Sequence, residues 1–338
     1  MGARDEPLLA PGTDVAGHRV VEHLGLRGMS DRYRLRARNG EERLLGIITA
    51  HHPDLASRLR SLPVLRLRHP NLLGVEQVLE IGRLPAVLSE PVRGTSLTAW
   101  LADRSGPDPN SALVLFRAIA EGVAAAHAIG QIHRDLRPEN VLVEGDVIPH
   151  ARIMDLGVAS ALFDLVIGQK SITSSGTTIG EPRYWAPERA RKPQSADVRS
   201  DLFSLGCLLY ELYAGVGPFD GLNLYECYHA TLDARYLPLE RRSLDAPPEV
   251  LKLVKRLLAP EPEDRPASCG EALAMLLPPG AALPPPTPAT PASPPSPMPP
   301  PSSSPPRKVS PVAIYAAIAV VAAAISAMTV AAGWVLLR

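Results

Sequence analysis

The sequence predicts an α+β fold in which strands come first and helices follow. Residues 18–49 alternate apolar and polar side chains and contain Asn39–Gly40, a dipeptide typical of a tight hairpin. Residues 111–127 repeat apolar side chains at helical spacing, and Gly130 stands where such a helix would end. A second, strongly apolar helix is predicted after Asp197. These patterns favour a β-rich N-terminal part and a larger helical part after it.

The overall composition gives no indication of a nucleic-acid partner, because the formal net charge is zero. The three cysteines, Cys207, Cys227 and Cys269, lack the spacing of metal ligands, so we expect them to be reduced and buried. No apolar run follows Met1, and no secretory signal is predicted. We therefore expect a domain that folds inside the cell without disulfide bonds.

Three segments outside the domain have their own composition. Residues 1–16 are rich in Pro, Gly and charge and are predicted to form a flexible leader. Residues 278–310 consist mainly of Pro, Ala, Ser and Thr, which predicts a disordered, extended linker. Residues 311–337 carry no charged side chain and exceed the roughly 20 residues that cross a bilayer as a helix. A buried core helix is the alternative for that run, but the preceding linker favours a transmembrane helix.

The orientation of that helix is predicted from the charges beside it. Arg307 and Lys308 precede the apolar run, and Arg338 follows it. Positive residues favour the cytoplasmic side of a membrane, so we expect a single-pass protein of the cell membrane with its domain in the cytoplasm.

The strongest motif is the run His133–Asn140, which reads HRDLRPEN. Phosphoryl transfer needs a carboxylate that accepts the proton of an attacking hydroxyl and a ligand that holds Mg²⁺ on the phosphates. Asp135 and Asn140, five positions apart on one loop, can supply these two groups. The run resembles the catalytic loop of protein kinases, HRDLKPEN, with Arg137 in place of Lys. The resemblance implies a bacterial serine/threonine kinase that uses ATP with Mg²⁺, with Asp135 and Arg137 as catalytic residues and Asn140 as a metal ligand.

Further motifs extend the resemblance over residues 17–277 and imply a two-lobed kinase-like fold, with an N-lobe at 17–93 and a C-lobe at 94–277. Asp155 is similar to the Asp of the DFG motif and is predicted to be the second Mg²⁺ ligand. The nucleotide-binding residues that the resemblance implies include the adenine floor and the hinge backbone. They are Leu142, Glu90 and Val92.

Other matching residues are predicted to have structural roles or to be modified. Glu188, in an Ala-Pro-Glu motif, is expected to form a buried ion pair with Arg265. His133 and Asp201 are also predicted to have structural roles. The activation segment between Asp155 and Glu188 contains candidate phosphorylation sites, although a solvated flexible loop is the alternative for each. These sites are Thr173, Ser174, Ser175, Thr177 and Thr178.

The N-lobe departs from the kinase pattern at the loop that should cover the phosphates. Gly25 and Gly28 match this loop and are predicted to bind nucleotide, but Arg27 and Ser30 replace two of its glycines. Arg32 replaces the Val that usually covers adenine. Because a Cβ hinders close approach of backbone N–H groups to phosphate, we expect a weakened nucleotide loop.

The ion pair that activates kinases is also missing from the sequence. The third strand, within residues 43–49, contains no Lys, and Arg60 stands where helix C should carry a Glu. Pro63 is expected to end or kink that helix early. A positive charge on Arg27 or Arg32 could reach the phosphates instead, and the alternative for each is a solvated arginine.

Two functions remain open from the sequence. The first is an active serine/threonine kinase, slow because its N-lobe Lys and Glu are missing. The second is a pseudokinase that acts as a nucleotide-binding or nucleotide-independent scaffold. The expected partners are a protein substrate or signalling partner and the membrane. A homodimer is a further candidate, because Ala322, Ser326 and Ala327 permit close helix pairing.

Overall fold

The fold comes from a computed structural model, which describes residues 7–50, 52–103, 108–145, 148–167, 182–192, 196–278 and 290–291. These residues belong to one compact unit, residues 1–294. The apolar run 311–337, the candidate phosphorylation sites and most of the linker lie outside the described residues, so the predictions for them remain predictions.

The N-lobe is an antiparallel sheet of six strands in the order β1-β2-β3-β4-β7-β6. Alternation places one face of the sheet in a core of Val20, Tyr33, Leu35, Leu45 and Ile47, as the sequence pattern predicts. The strands are β1 Asp14–Val15, β2 His18–Arg27, β3 Ser30–Ala37, β4 Glu42–Ile48, β6 Val75–Ile81 and β7 Leu84–Ser89.

The hairpin predicted at Asn39–Gly40 joins β3 to β4, and Gly40 adopts a φ of 87°. The hairpin between β2 and β3 is tight. Strands β2 and β3 stay paired as far as Arg27 and Ser30, which leaves only two residues between them.

The prediction of a flexible leader is wrong from Leu8 onward. The backbone N–H groups of Leu8 and Leu9 donate to the Tyr33 hydroxyl at 2.7 and 3.2 Å, and Leu9 is buried. Strand β1 then pairs with the start of β2. A Pro- and Gly-rich composition did not prevent this segment from packing, because a buried tyrosine offered its hydroxyl as an acceptor.

Helix α1, Leu55–Arg60, crosses between β4 and β6 and is only six residues long. A short 3₁₀ turn, Pro63–Arg66, and the two-residue strand β5, Leu67–Arg68, follow it. The early end of the helix confirms the effect expected of Pro63.

The C-lobe is helical, with a small three-stranded sheet in the order β10-β9-β8 beneath the catalytic loop. Buried apolar residues of α3 and α6 form the centre of its core. Its elements are β8 Thr95–Ser96, α2 Leu97–Ala102, α3 Pro109–Ala128, β9 Val141–Glu144, β10 His150–Ile153, α4 Val158–Ile167, α5 Pro187–Arg191, α6 Val198–Ala214, α7 Leu224–Leu232, α8 Pro248–Leu257 and α9 Cys269–Ala274. Among the described residues, α3 is the one helix long and apolar enough to cross a membrane, and half of its most apolar stretch is buried in the domain.

A last strand, β11 Thr290–Pro291, pairs antiparallel with β5. The predicted disordered linker at 278–310 therefore contains one segment that adds backbone to the N-lobe. Cys207, Cys227 and Cys269, all among the described residues, form no disulfide bond and are buried, as expected.

Candidate active site

The catalytic loop is held by the buried carboxylate of Asp201, in the first turn of α6. Asp201 accepts hydrogen bonds from the backbone N–H groups of His133 and Arg134 at 2.8 and 2.9 Å. Burial alone would raise the pKa of Asp201, but the hydrogen bond and charge of His127 outweigh it and lower the pKa. The His133 ring accepts from the Asp135 N–H and donates to the Met154 carbonyl, so it links the loop to the strand below. The roles predicted for His133 and Asp201 agree with these contacts.

Asp135, the predicted catalytic base, is 8% exposed. Its Oδ2 accepts from Asn140 Nδ2 at 3.0 Å and lies 3.6 Å from Arg137 Nε. Burial raises the pKa of Asp135 above its ordinary value, against the opposing charges of Arg137 and His133. The loop therefore keeps a carboxylate in place, but in a closed and desolvated position.

The two predicted metal ligands meet on a single side chain, Arg32 of β3. Arg32 Nη2 donates to Asn140 Oδ1 at 2.9 Å and to Asp155 Oδ2 at 2.7 Å. Ser30, two residues earlier on the same strand face, donates its hydroxyl to Asp155 at 3.3 Å. The Arg32 side chain is 6% exposed, so this contact between the lobes is desolvated. Two of the three residues that depart from the nucleotide-loop pattern, Ser30 and Arg32, thus hydrogen-bond to Asp155.

The register of β3 and β4 explains why Arg32 reaches into the cleft. Arg32 pairs directly with Gly46, which has no side chain to compete for the space. Gly46 and Leu44 share the face of β4 that is opposite the face of Leu45 and Ile47, which fill the N-lobe core. The strand that should present a Lys thus presents a Gly, and the neighbouring strand supplies the cation.

The residues of this site do not fit a magnesium ion as they are arranged. Mg²⁺ requires oxygen ligands at about 2.0–2.1 Å. The same Arg32 nitrogen already bridges Asn140 Oδ1 and Asp155 Oδ2, so a metal on these oxygens would have to replace it and would meet the guanidinium charge. Within the described ranges, no group of three or more His, Cys, Asp or Glu side chains could hold a metal ion. The structure brings the two predicted metal ligands, Asn140 and Asp155, close together, and both accept hydrogen bonds from Arg32.

Helix α1 offers no carboxylate to the cleft. Arg60, which stands at the position expected for the helix C Glu, is exposed and pairs with Glu80 at 2.7 Å. Leu59 is the buried residue of that turn. The side of the short helix that packs inward is therefore apolar.

The nucleotide loop lies directly on the catalytic loop. Gly28 adopts a φ of 60°, and a Cβ added there would collide with Arg137 Nη2. Gly25 has a φ of 89° and open space around it. Arg27 is exposed at the end of β2, away from the contacts that Arg32 makes. Of the two arginines proposed to replace the Lys, Arg32 is therefore the one inside the cleft.

The predicted adenine floor lies in an apolar cluster. Leu142 is buried with Leu44 and Met154, and Val92 packs at the edge of this cluster. Glu90 begins the hinge, where its N–H donates to the Gly74 carbonyl at 3.0 Å and its carboxylate pairs with Arg152. The contact of these hinge and floor residues with a nucleotide stays a prediction.

Glu188 and Arg265 form the predicted ion pair in the C-lobe. Arg265 Nη1 and Nη2 donate to the two carboxylate oxygens of Glu188 at 2.8 Å each. The Ser200 hydroxyl donates to Glu188 at 2.7 Å, and the Arg265 side chain is completely buried. Despite the effect of burial, these contacts lower the pKa of Glu188.

Sequence reasoning missed the helix that follows Asp155. Within the predicted activation segment, Asp155 to Glu188, α4 begins at Val158 and packs on α1. Asp164 of α4 pairs with Arg58 at 2.5 Å and lies 3.6 Å from Arg134. The strongly apolar run of residues 158–167 was the signal that could have predicted a buried helix.

The comparisons with known proteins identify the family. The model of the protein kinase domain matches residues 60–276, so strands β1–β4 lie outside the match. Serine/threonine-protein kinase PknL of Mycobacterium tuberculosis is 35% identical over 221 residues, which cover 64% of this chain and 52% of PknL. Serine/threonine-protein kinase pkn2 of Myxococcus xanthus is 34% identical over 279 residues, which cover 78% of this chain and 32% of pkn2. The chain spans about half the length of PknL.

The fold is also similar to a solved structure. A crystal structure of Rad53 residues 1–466 in complex with AMP-PNP has a TM-score of 0.64 and 23% identity, over 77% of this chain and 65% of that chain. This likeness concerns the fold. Since the family model matches well over half of the chain, the chain belongs to the protein kinase family, with bacterial serine/threonine kinases among its relatives.

Proposed function

We propose that this protein is a pseudokinase, a signalling module of the serine/threonine kinase family in which phosphoryl transfer is absent or greatly slowed. The observation that carries this proposal is the Arg32 guanidinium on Asn140 and Asp155. These two oxygens are the ones on which a kinase holds the metal of Mg-ATP. An arginine that occupies both of them competes with the cofactor at the start of every catalytic cycle.

Two further features support slow chemistry. Gly46 supplies no cation to the phosphates, and the buried residues of α1, Leu55, Ala56 and Leu59, include no carboxylate. Removal of one preorganised charge-stabilising group commonly lowers a catalytic rate by about 10²–10³-fold. With several such groups missing, Asp135 could still orient the attacking hydroxyl, but the γ-phosphate of ATP would lack the cations that position it, and transfer would be slow.

The test of this proposal measures phosphate transfer from labelled ATP. The full 338-residue chain, purified in detergent micelles, is incubated with Mg²⁺, labelled ATP and a generic Ser/Thr protein substrate. We expect incorporation no greater than that of an Asp135→Asn control, which removes the predicted base. Incorporation clearly above that control would overturn the proposal and favour the second candidate, an active kinase built on the retained Asp135, Asn140 and Asp155.

We further propose that the module is anchored to the cell membrane by residues 311–337, with the kinase-like domain in the cytoplasm and a signalling protein as its partner. The support is the uncharged apolar run and the preceding Arg307 and Lys308. Fractionation of cells expressing the full chain or a chain ending at residue 310 tests this. We expect only the full chain in the membrane fraction, and equal membrane recovery of both would contradict the anchor.

A further inference from the structure

We propose that Arg32 is a built-in cation that replaces Mg²⁺, so that the cleft binds a nucleoside di- or triphosphate free of metal. This inference rests on the proposed function for the role of the cleft, but it concerns binding and not transfer. It names the ligand class, a metal-free nucleotide, and assigns the phosphate contact to a side chain of this chain.

Arg32 donates hydrogen bonds to the two oxygens that a magnesium ion would otherwise bind. Asn140 Oδ1 and Asp155 Oδ2 come from separate loops of the C-lobe, and one nitrogen of Arg32 links them at 2.9 and 2.7 Å. Arg32 Nη1 also donates to the Glu139 carbonyl at 3.4 Å. A guanidinium remains charged under all physiological conditions, so it neutralises Asp155 permanently and with no dependence on metal concentration.

Two buried guanidinium N–H groups at this site lack an acceptor within hydrogen-bond distance, although one of them, Arg137 Nε, lies 3.6 Å from Asp135 Oδ2. Arg32 Nε and Arg137 Nε are both buried, and neither has a hydrogen-bond partner. Buried N–H groups without an acceptor are costly, and their presence indicates a missing partner. Phosphate oxygens are strong acceptors for arginine, and Arg32 on β3 together with Arg137 on the catalytic loop suits a chain of phosphates.

The apolar residues next to Arg32 and its acceptors suit a nucleoside whose phosphates lie at Arg32. Leu44, Leu142 and Met154 stand within two residues of Gly46, Asn140 and Asp155 along their strands and loops, and the three form one apolar cluster. A base needs such apolar walls next to a polar phosphate site. Because Gly46 carries no ammonium, Arg32 is the cation that the residues of β3 and β4 bring to Asp155.

The experiment titrates the full chain, in detergent micelles, with a fluorescent N-methylanthraniloyl-ATP in EDTA and again in Mg²⁺. We expect wild-type Kd values in the two buffers to agree within about twofold. The charge-removing variant Arg32→Met keeps an apolar stem, and we expect it to bind at least about tenfold more weakly in EDTA and to regain affinity when Mg²⁺ is added.

The matched control is Arg34→Met, which changes the same residue type on the same strand. Arg34 is 40% exposed and pairs with Glu22, outside the cleft. We expect this variant to bind like the wild type in both buffers. Circular dichroism checks that the variants fold, and the wild-type comparison of EDTA with Mg²⁺ needs no variant at all.

Three results would overturn the inference: wild-type binding that requires Mg²⁺, no wild-type binding in either buffer, or an Arg32→Met variant that behaves like Arg34→Met. None of these results measures phosphate transfer, so the pseudokinase proposal is decided separately, by the transfer assay against the Asp135→Asn control. Conversely, transfer above the Asp135→Asn control would end that proposal and leave the binding result to be judged by its own titration.

Discussion

Arg32 and Gly46 form a complementary pair at the residue scale, because they pair directly across β3 and β4 and the glycine has no side chain beside the arginine. A Cβ on Gly46 would meet Ser30 Cβ at 3.6 Å, which is ordinary van der Waals contact. The position therefore has room for a side chain, but a positive one would lie beside the Arg32 guanidinium.

This pairing predicts a charge conflict. We expect Gly46→Ala to leave the free energy of unfolding unchanged or slightly raised, since glycine weakens a strand. Gly46→Lys should lower it by about 1 kcal/mol because like charges face each other across the sheet. Urea unfolding of each variant checks this. In an Arg32→Met background, Gly46→Lys should lower the free energy of unfolding by less than it does in the wild type. An equal loss in both backgrounds would show that the two positive charges do not repel each other.

The ion pair Glu188–Arg265 gives a second residue-scale prediction. The Arg265 side chain is fully buried and donates to both carboxylate oxygens of Glu188. The variant Arg265→Met should leave this carboxylate buried without its cation and lower the free energy of unfolding by about 3–5 kcal/mol. Chemical denaturation measures the difference. The matched control is Arg60→Met, whose pair with Glu80 is half exposed and should contribute less than about 1 kcal/mol. Similar losses for both variants would contradict the role of burial.

At the scale of the elements, sequence patterns predicted most of the fold. Alternation predicted the β-rich N-lobe, and the Asn39–Gly40 dipeptide predicted the hairpin. Pro63 predicted the early end of α1, which stops at Arg60. These patterns did not predict the packing of Leu9 or the course of the Arg32 side chain. Both depend on partners far away in the sequence, Tyr33 for the leader and Asp155 for the arginine, and local pattern contains no information about such contacts.

Helix α6 and the end of the activation segment are joined by a titratable contact. Glu211 of α6 accepts a hydrogen bond from the Tyr184 hydroxyl at 2.9 Å. Burial, with additional repulsion from Asp220 and Glu139, raises the pKa of Glu211 to about 7, and the Tyr184 hydrogen bond and Arg183 act against this shift. The folded domain thus holds a proton on Glu211 that the unfolded chain would release at lower pH.

The raised pKa predicts that the domain is more stable in mild acid. The contribution of Glu211 should be complete below about pH 4.5 and should be lost as the pH rises through about 7, by on the order of 3 kcal/mol in total. Urea unfolding at about pH 5 and about pH 8 measures this difference. Glu211→Gln keeps the acceptor for Tyr184 and should reduce the pH dependence, whereas the exposed Glu263→Gln should not. An unchanged pH dependence in Glu211→Gln would contradict the assignment.

At the scale of the whole molecule, one short segment of the predicted linker, Thr290–Pro291, belongs to the fold of the domain. Strand β11, Thr290–Pro291, pairs with β5, Leu67–Arg68, directly after the turn that follows α1. The Arg68 side chain also donates to the Val75 carbonyl at 2.9 Å, so β5 is tied to the N-lobe sheet. A linker that pairs here connects the C-terminal part of the chain to the lobe that carries Arg32.

This contact predicts a difference between two truncations. A chain ending at residue 278 loses β11 and should show faster amide hydrogen exchange at Leu67 and Arg68, because their backbone groups lose a strand partner. A chain ending at residue 294 keeps β11 and should exchange there like the full chain. Exchange in β6, Val75–Ile81, provides the internal control, since its pairing with β7 is the same in every chain. Equal exchange at Leu67 and Arg68 in both truncations would show that the linker does not hold β5 in solution, and the domain would then be tethered only through its end at α9.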